Sequence, residues 1–185
     1  MRKKIKFPIL FFALVSTFAG QAKPVSANDE KFIFNSPRQL SFERYPANIV
    51  QLGDAPKPVL ITSLAKKYKS AITVEAVRPV NFAGHYRVAT WACGTDCRGF
   101  AIINKQTGTV YTLPGVEYVA GVMGNDEERF SYRVDSNLFI ITGMKNDDEK
   151  EIGKFFYLWK KGKLTLLAKA PISTANFFAP GADPK

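Results

Sequence analysis

Residues Gly84 to Ile103, GHYRVATWACGTDCRGFAII, hold the only histidine of the chain, His85, and both of its cysteines, Cys93 and Cys97. Three kinds of chemistry could use such a set. A redox pair normally places Cys-x-x-Cys at a helix start, where the thiolate is stabilised; here three residues separate the cysteines and strand-forming residues flank them. A zinc centre needs three or four Cys, His or carboxylate ligands. Cys93, Cys97, His85 and Asp96 supply four on paper, but an extended strand puts His85 about 25 Å from Cys93 at about 3.3 Å per residue. No metal site is expected. The third use is structural. If the cysteines end two antiparallel strands, Gly94-Thr95-Asp96 is a three-residue loop, and the cysteines face each other at a Cα separation that a disulfide accepts. The same register sets Trp91 against Gly99, Thr90 against Phe100 and Val88 against Ile102, with Val88, Phe100 and Ile102 on one face. The bridge closes a very short loop, so the chain-entropy model gives it roughly 2 kcal/mol. The expectation is a Cys93–Cys97 disulfide that pins a hairpin and does no chemistry. If the segment meets a partner, the candidate contacts are His85, Tyr86, Thr95, Asp96 and Arg98.

Catalysis finds little else to work with. His85 as a general base would need a nucleophile and an orienting carboxylate. Ser131, Ser136, Asp126 and Asp135 exist, but nothing in their spacing ties them to it. Gly-x-Ser-x-Gly, His-Glu-x-x-His and the phosphate loop do not occur. Paired carboxylates could still cleave a glycosidic bond, and Glu75, Glu117 and Asp135 are possible members, though no spacing selects a pair. The acidic run NDDEKE lacks the alternating ligands, glycine and distant glutamate of a calcium loop. No motif calls for a cofactor.

The elements that would position these residues follow from the ends inward. Arg2, Lys3, Lys4 and Lys6 precede an apolar run from Phe7 to Gly20, and Val25-Ser26-Ala27 offers small residues for cleavage. Residues 1–27 are expected to be a signal peptide cut after Ala27 or, second choice, after Ala22. The alternative is an uncleaved membrane anchor, for which the apolar run is short. Five basic residues and no acid leave with the segment, so the formal net charge of +10 falls to about +5. Half of the basicity is therefore leader, and nucleic acid is not an expected partner. The remaining chain suffices for one domain with a core. Export also favours pairing of the two cysteines.

Residues 28–60 read as an irregular segment with short strands at KFIF and FERYPANIV. Residues 61–172 read as a β-rich core, and 173–185 as a tail. TSLAKKYKSAITVEAV is the one helix candidate. Thr62 or Ser63 caps it, Leu64, Tyr68 and Ile72 face the sheet, Lys66, Lys67 and Lys69 face water, and Pro79 stops it. Beyond Pro79, HYRVATWA, RGFAIIN, TVYTL, ERFSYRV, NLFIITGM, GKFFYLW and KLTLLA alternate with turn signals, and Gly108 suits a positive-φ turn position. The fold expected is α+β, mostly β: an antiparallel meander of roughly six to eight strands with one packed helix.

NFAGHYRVATWACGTDCRGFAIINKQTGTVY, Asn81 to Tyr111, resembles a segment of a family of uncharacterised exported bacterial proteins. That family carries Asn-Phe-Ala-Gly-His-Tyr before a strand, then a Cys-Gly-x-x-Cys turn and a Gly-x-Val-Tyr turn. DSNLFIITG and FFYLW resemble its later segments, so the likeness runs over residues 62–168. It implies a single secreted domain and brings no catalytic residues. Three classes of function remain. The first is a periplasmic or secreted binding protein that masks or neutralises another protein, with no stable membrane insertion once the leader is removed. The second is an envelope module that binds a small ligand or glycan on aromatic residues. The third is a hydrolase with an unrecognised carboxylate site.

Overall fold

The computed structural model describes residues 40–52, 56–123 and 125–172. The expected leader, the KFIF strand and the C-terminal tail lie outside the described residues. Eight strands form one antiparallel sheet: β1 (Tyr86–Gly94), β2 (Cys97–Asn104), β3 (Val110–Tyr111), β4 (Val119–Ala120), β5 (Phe130–Tyr132), β6 (Leu138–Lys145), β7 (Ile152–Lys160) and β8 (Lys163–Ala170). The order is β1-β2-β4-β6-β7-β8, with β3 on β2 and β5 on β6. The expected α+β meander is therefore present. The long strands are the apolar alternating runs, and the three short ones fill the seam between β2 and β6.

One face carries the main core. Val88, Phe100, Ile102, Phe139, Ile141, Phe155, Tyr157 and Trp159 are buried there together. Four strand spacings separate β1 from β7, about 19 Å if the sheet were flat. The rings of Tyr86 and Trp159 nevertheless meet at 5.1 Å, so the sheet curls around this core. Phe82 plugs the curl, fully buried and in contact with Tyr86, Tyr132, Phe139 and Trp159. It is delivered by the Asn-Phe-Ala-Gly-His-Tyr segment, whose Ala83 and Gly84 take φ of 43° and 81°. Tyr86 N–H donates to Phe82 C=O at 2.9 Å, closing the turn. Gly84 is required on two grounds: its backbone is left-handed, and a Cβ there would sit 2.0 Å from Asn48 O.

The other face is covered in two halves. The 3-10 turn Phe42–Arg44 and its neighbours cover Leu138, Ile140 and Phe156. FERYPANIV is thus a turn rather than a strand; Pro46 has no N–H to extend a ladder and makes only an isolated bridge to Ser136. The first half is covered by the helix, in two segments, α1 (Ser63–Lys67) and α2 (Lys69–Ala76), hinged at Tyr68. Thr62 Oγ1 accepts from Ala65 N–H at 3.1 Å and caps α1. Ala65, Ile72 and Ala76 are buried on Ala89, Trp91, Ala101 and Ile103. Ala65 precedes Ile72 by seven residues, about two helical turns, so Ala65 rather than the expected Leu64 shares its stripe on the sheet, and Leu64 stays half-exposed. Tyr68 stacks on Trp91 at 4.4 Å, and Trp91 lies over Gly99 as its register requires; a Cβ at Gly99 would meet the indole at 2.2 Å.

Candidate functional site

The β1–β2 hairpin ends in the disulfide Cys93–Cys97, with Cα atoms 5.1 Å apart. The pairing differs from a direct opposition. Ala92 pairs with Arg98 and Gly94 pairs with Cys97, so Cys93 is the extra residue of a bulge and Thr95-Asp96 is a two-residue loop. The bulge turns Cys93 towards its partner and adds local twist. Residues 92–96 and Arg98 are all exposed. They are nevertheless fixed from beneath. Gly121 N–H donates to Asp96 C=O at 2.7 Å, and a Cβ on Gly121 would overlap the Asp96 carboxylate at 1.5 Å. Arg129, buried, reaches Asp96 at 3.6 Å and donates to Thr142 and Asn125 carbonyls at 3.3 Å each. The loop carrying Gly121 also carries Met123, which is 71 % exposed.

The five candidate contacts separate into two groups. Thr95, Asp96 and Arg98 lie at this tip. His85 and Tyr86 lie at the other end of β1, where Tyr86 pairs with Asn104; a strand of this length spans about 25 Å. The imidazole of His85 lies against the Tyr86 ring at 4.2 Å. Burial pushes its pKa below the ordinary value, and burial likewise raises that of Tyr86. Tyr86 belongs to the core around Trp159, so this pair serves the plug.

The three carboxylates considered for hydrolysis are each engaged by a base, in three separate places. Glu75 takes Nε and Nη2 of Arg87 at 3.0 and 2.5 Å and Arg78 at 3.1 Å. Glu117 pairs with Lys67. Asp135 accepts from Arg133 at 2.7 and 2.9 Å, which holds its pKa below the usual range. Among the described residues, no group of three or more His, Cys, Asp or Glu is placed to hold a metal ion. Nor is any helix among them long and apolar enough to cross a membrane.

A second concave feature escaped the sequence. A cleft of 820 Å³ lies between α1 and the loop 112–118. Thr62 and Leu64 line the α1 side and Thr112, Leu113, Pro114 and Val116 the loop side, with the Thr62 and Thr112 hydroxyls in contact at 3.2 Å. Lys67, Glu117 and Tyr118 form its far edge and are shared with a 330 Å³ concavity that reaches the disulfide. Nothing local signals this site, because its walls are some fifty residues apart in sequence. Arg129 and Gly121 were also missed. The one available signal was an arginine closing the acidic run NDEER beside an apolar strand, a position where burial demands a carboxylate partner.

The molecule is therefore a curled antiparallel sheet with a clipped, exposed hairpin and a neighbouring cleft. Compared with family models, with curated proteins and with solved structures, the chain matches none of them.

Proposed function

We propose that the chain is an exported, non-enzymatic binding protein that masks or neutralises another protein through the tip of the β1–β2 hairpin. One observation carries this reading: the tip is exposed throughout yet tied at Cys93–Cys97, at Gly121 and at Arg129. A surface that is already ordered loses little conformational entropy on binding, so its contacts convert more fully into affinity. Met123 beside it supplies a flexible apolar anchor of the kind that fills a partner's pocket. The disulfide suits an oxidising compartment, the periplasm or the exterior. The hydrolase reading loses support because each carboxylate it would use is held by a cation.

The test is affinity capture from an envelope extract with the mature protein, with Arg98→Glu and Met123→Asp as tip variants, and with Lys160→Glu as a control at the other end of the sheet. The reading expects one protein retained in stoichiometric amount by the parent and the control, and lost from both tip variants. Retention that ignores the tip changes, or turnover of a glycan by the purified chain, contradicts it. N-terminal sequencing of the same preparation is expected to start at Asn28 or Lys23; a start at Met1 in the membrane fraction overturns export.

A further inference from the structure

The cleft beside α1 runs up to the disulfide at the base of the hairpin tip, but its lining selects a different ligand. Its 820 Å³ lies within the range of sites that bury a drug-sized ligand, about 300–1,000 Å³. Past the Lys67–Glu117 bridge it continues into the 330 Å³ concavity, so the whole is longer than one compact molecule requires. Leu113, Pro114 and Val116 offer an apolar wall faced by Leu64, while Thr112 and the bridge offer hydroxyl, ammonium and carboxylate groups. A pyranose ring has the matching asymmetry, with C–H groups on its faces and hydroxyls around its rim.

The charges narrow the choice. Lys67 and Glu117 neutralise each other across the groove. A charged ligand attracted by one member of the pair meets a like charge on the other, so the groove offers no net charge to select it. A neutral hydroxyl can donate to the carboxylate and accept from the ammonium while the pair stays closed. The wall is also built in advance. Asn146 Oδ1 accepts from the N–H groups of Glu117 and Tyr118 at 2.9 and 3.3 Å, and its Nδ2 donates to Gly115 C=O at 2.6 Å. It does so from a left-handed backbone, φ 54°, followed by Asp147 at 56°. Asn and Asp tolerate that region, and the pair forms the centre of a tight turn closed by Asp148 N–H to Lys145 C=O at 3.0 Å.

We propose that this groove binds a neutral oligosaccharide, with its rings against the Leu113-Pro114 wall and their hydroxyls shared between Thr112 and the Lys67–Glu117 pair. The site is independent of the protein-masking reading and survives its failure. The experiment is an NMR titration of the full mature chain with neutral glucose and N-acetylglucosamine oligomers, α- and β-linked, from monomer to hexamer. The expected result is perturbation confined to the linings of the two concavities, residues 62–68, 112–118 and 146–147 with Cys93 and Cys97, and affinity rising at least about tenfold from monomer to trimer. Lys67→Ala with Glu117→Ala, both exposed, should keep the melting temperature and weaken binding by about tenfold or more. Arg98→Glu at the tip should leave sugar binding unchanged. Absence of perturbation by every neutral oligomer overturns the proposal. So does seating of an anionic oligomer or a peptide in the groove in their place.

Discussion

At the scale of the residue, two side chains decide whether the hairpin tip keeps its shape. Arg129 is buried with three oxygens around it. Arg129→Ala leaves the Asn125 and Thr142 carbonyls without this donor and should cost about 1.5–3 kcal/mol, read from urea denaturation. Gly121→Ala is the complementary test. The added methyl overlaps Asp96, so the tip must shift, and protection of the Gly121 amide against hydrogen exchange should fall even where global stability is largely kept. His85 gives a pH signature. Its folded pKa lies below 6.5 because burial disfavours the imidazolium. The unfolded chain therefore binds more protons just below pH 6.5, and stability falls as pH drops from there towards the folded value. His85→Phe, which keeps the ring contact with Tyr86, should flatten that part of the stability curve; an unchanged slope between about pH 5 and 7 would assign it to other groups. The cysteine pair was legible from the sequence because its partners are four residues apart. Arg129–Asp96 was not, because a contact between a buried arginine and an exposed aspartate on a distant loop leaves no periodic trace.

At the scale of the element, the hairpin and the helix were read with different success. Opposing Cys93 to Cys97 and extending the register predicted the pairing of Trp91 with Gly99 and of Val88 with Ile102 that the sheet shows. A spacing of four also fits a bulged two-residue loop, so the extra residue at Cys93 was missed. Replacing both cysteines with serine should cost roughly 2 kcal/mol and leave the sheet intact, since the bridge closes only a short loop; loss of the fold on reduction would show that it holds more than the hairpin. In the helix, the Thr62 cap and the lysine face were legible, but the buried stripe runs through Ala65, Ile72 and Ala76 and leaves Leu64 at its side. Ile72→Ala, at a fully buried site, should cost about 2–5 kcal/mol. Leu64→Ala should cost markedly less, and equal losses in the two melts would place Leu64 back on the core. The two-residue β4 lacks a run of its own. It exists because β2 and β6 each leave an edge that Val119 and Ala120 complete.

At the scale of the whole molecule, the architecture divides labour between the ends of the sheet. One end is closed by Phe82 and the aromatic cluster around Trp159. The other presents the clipped hairpin, Met123 and the near edge of the groove. The antiparallel class was legible, since apolar runs of strand length recur between turn signals. The curl was not, because it depends on ring contacts between β1 and β7 across four spacings. For the same reason the groove appears only once α1 is laid beside the loop 112–118. The central claim is that the tip is exposed and already ordered for a partner. Backbone ¹⁵N relaxation of the free protein tests it most directly. The account predicts order parameters at residues 94–98 close to those of rigid sheet, about 0.8 or higher, with a clear drop when Arg129 is replaced by alanine. Values below about 0.6 across the tip of the parent protein, typical of a mobile loop, would contradict it.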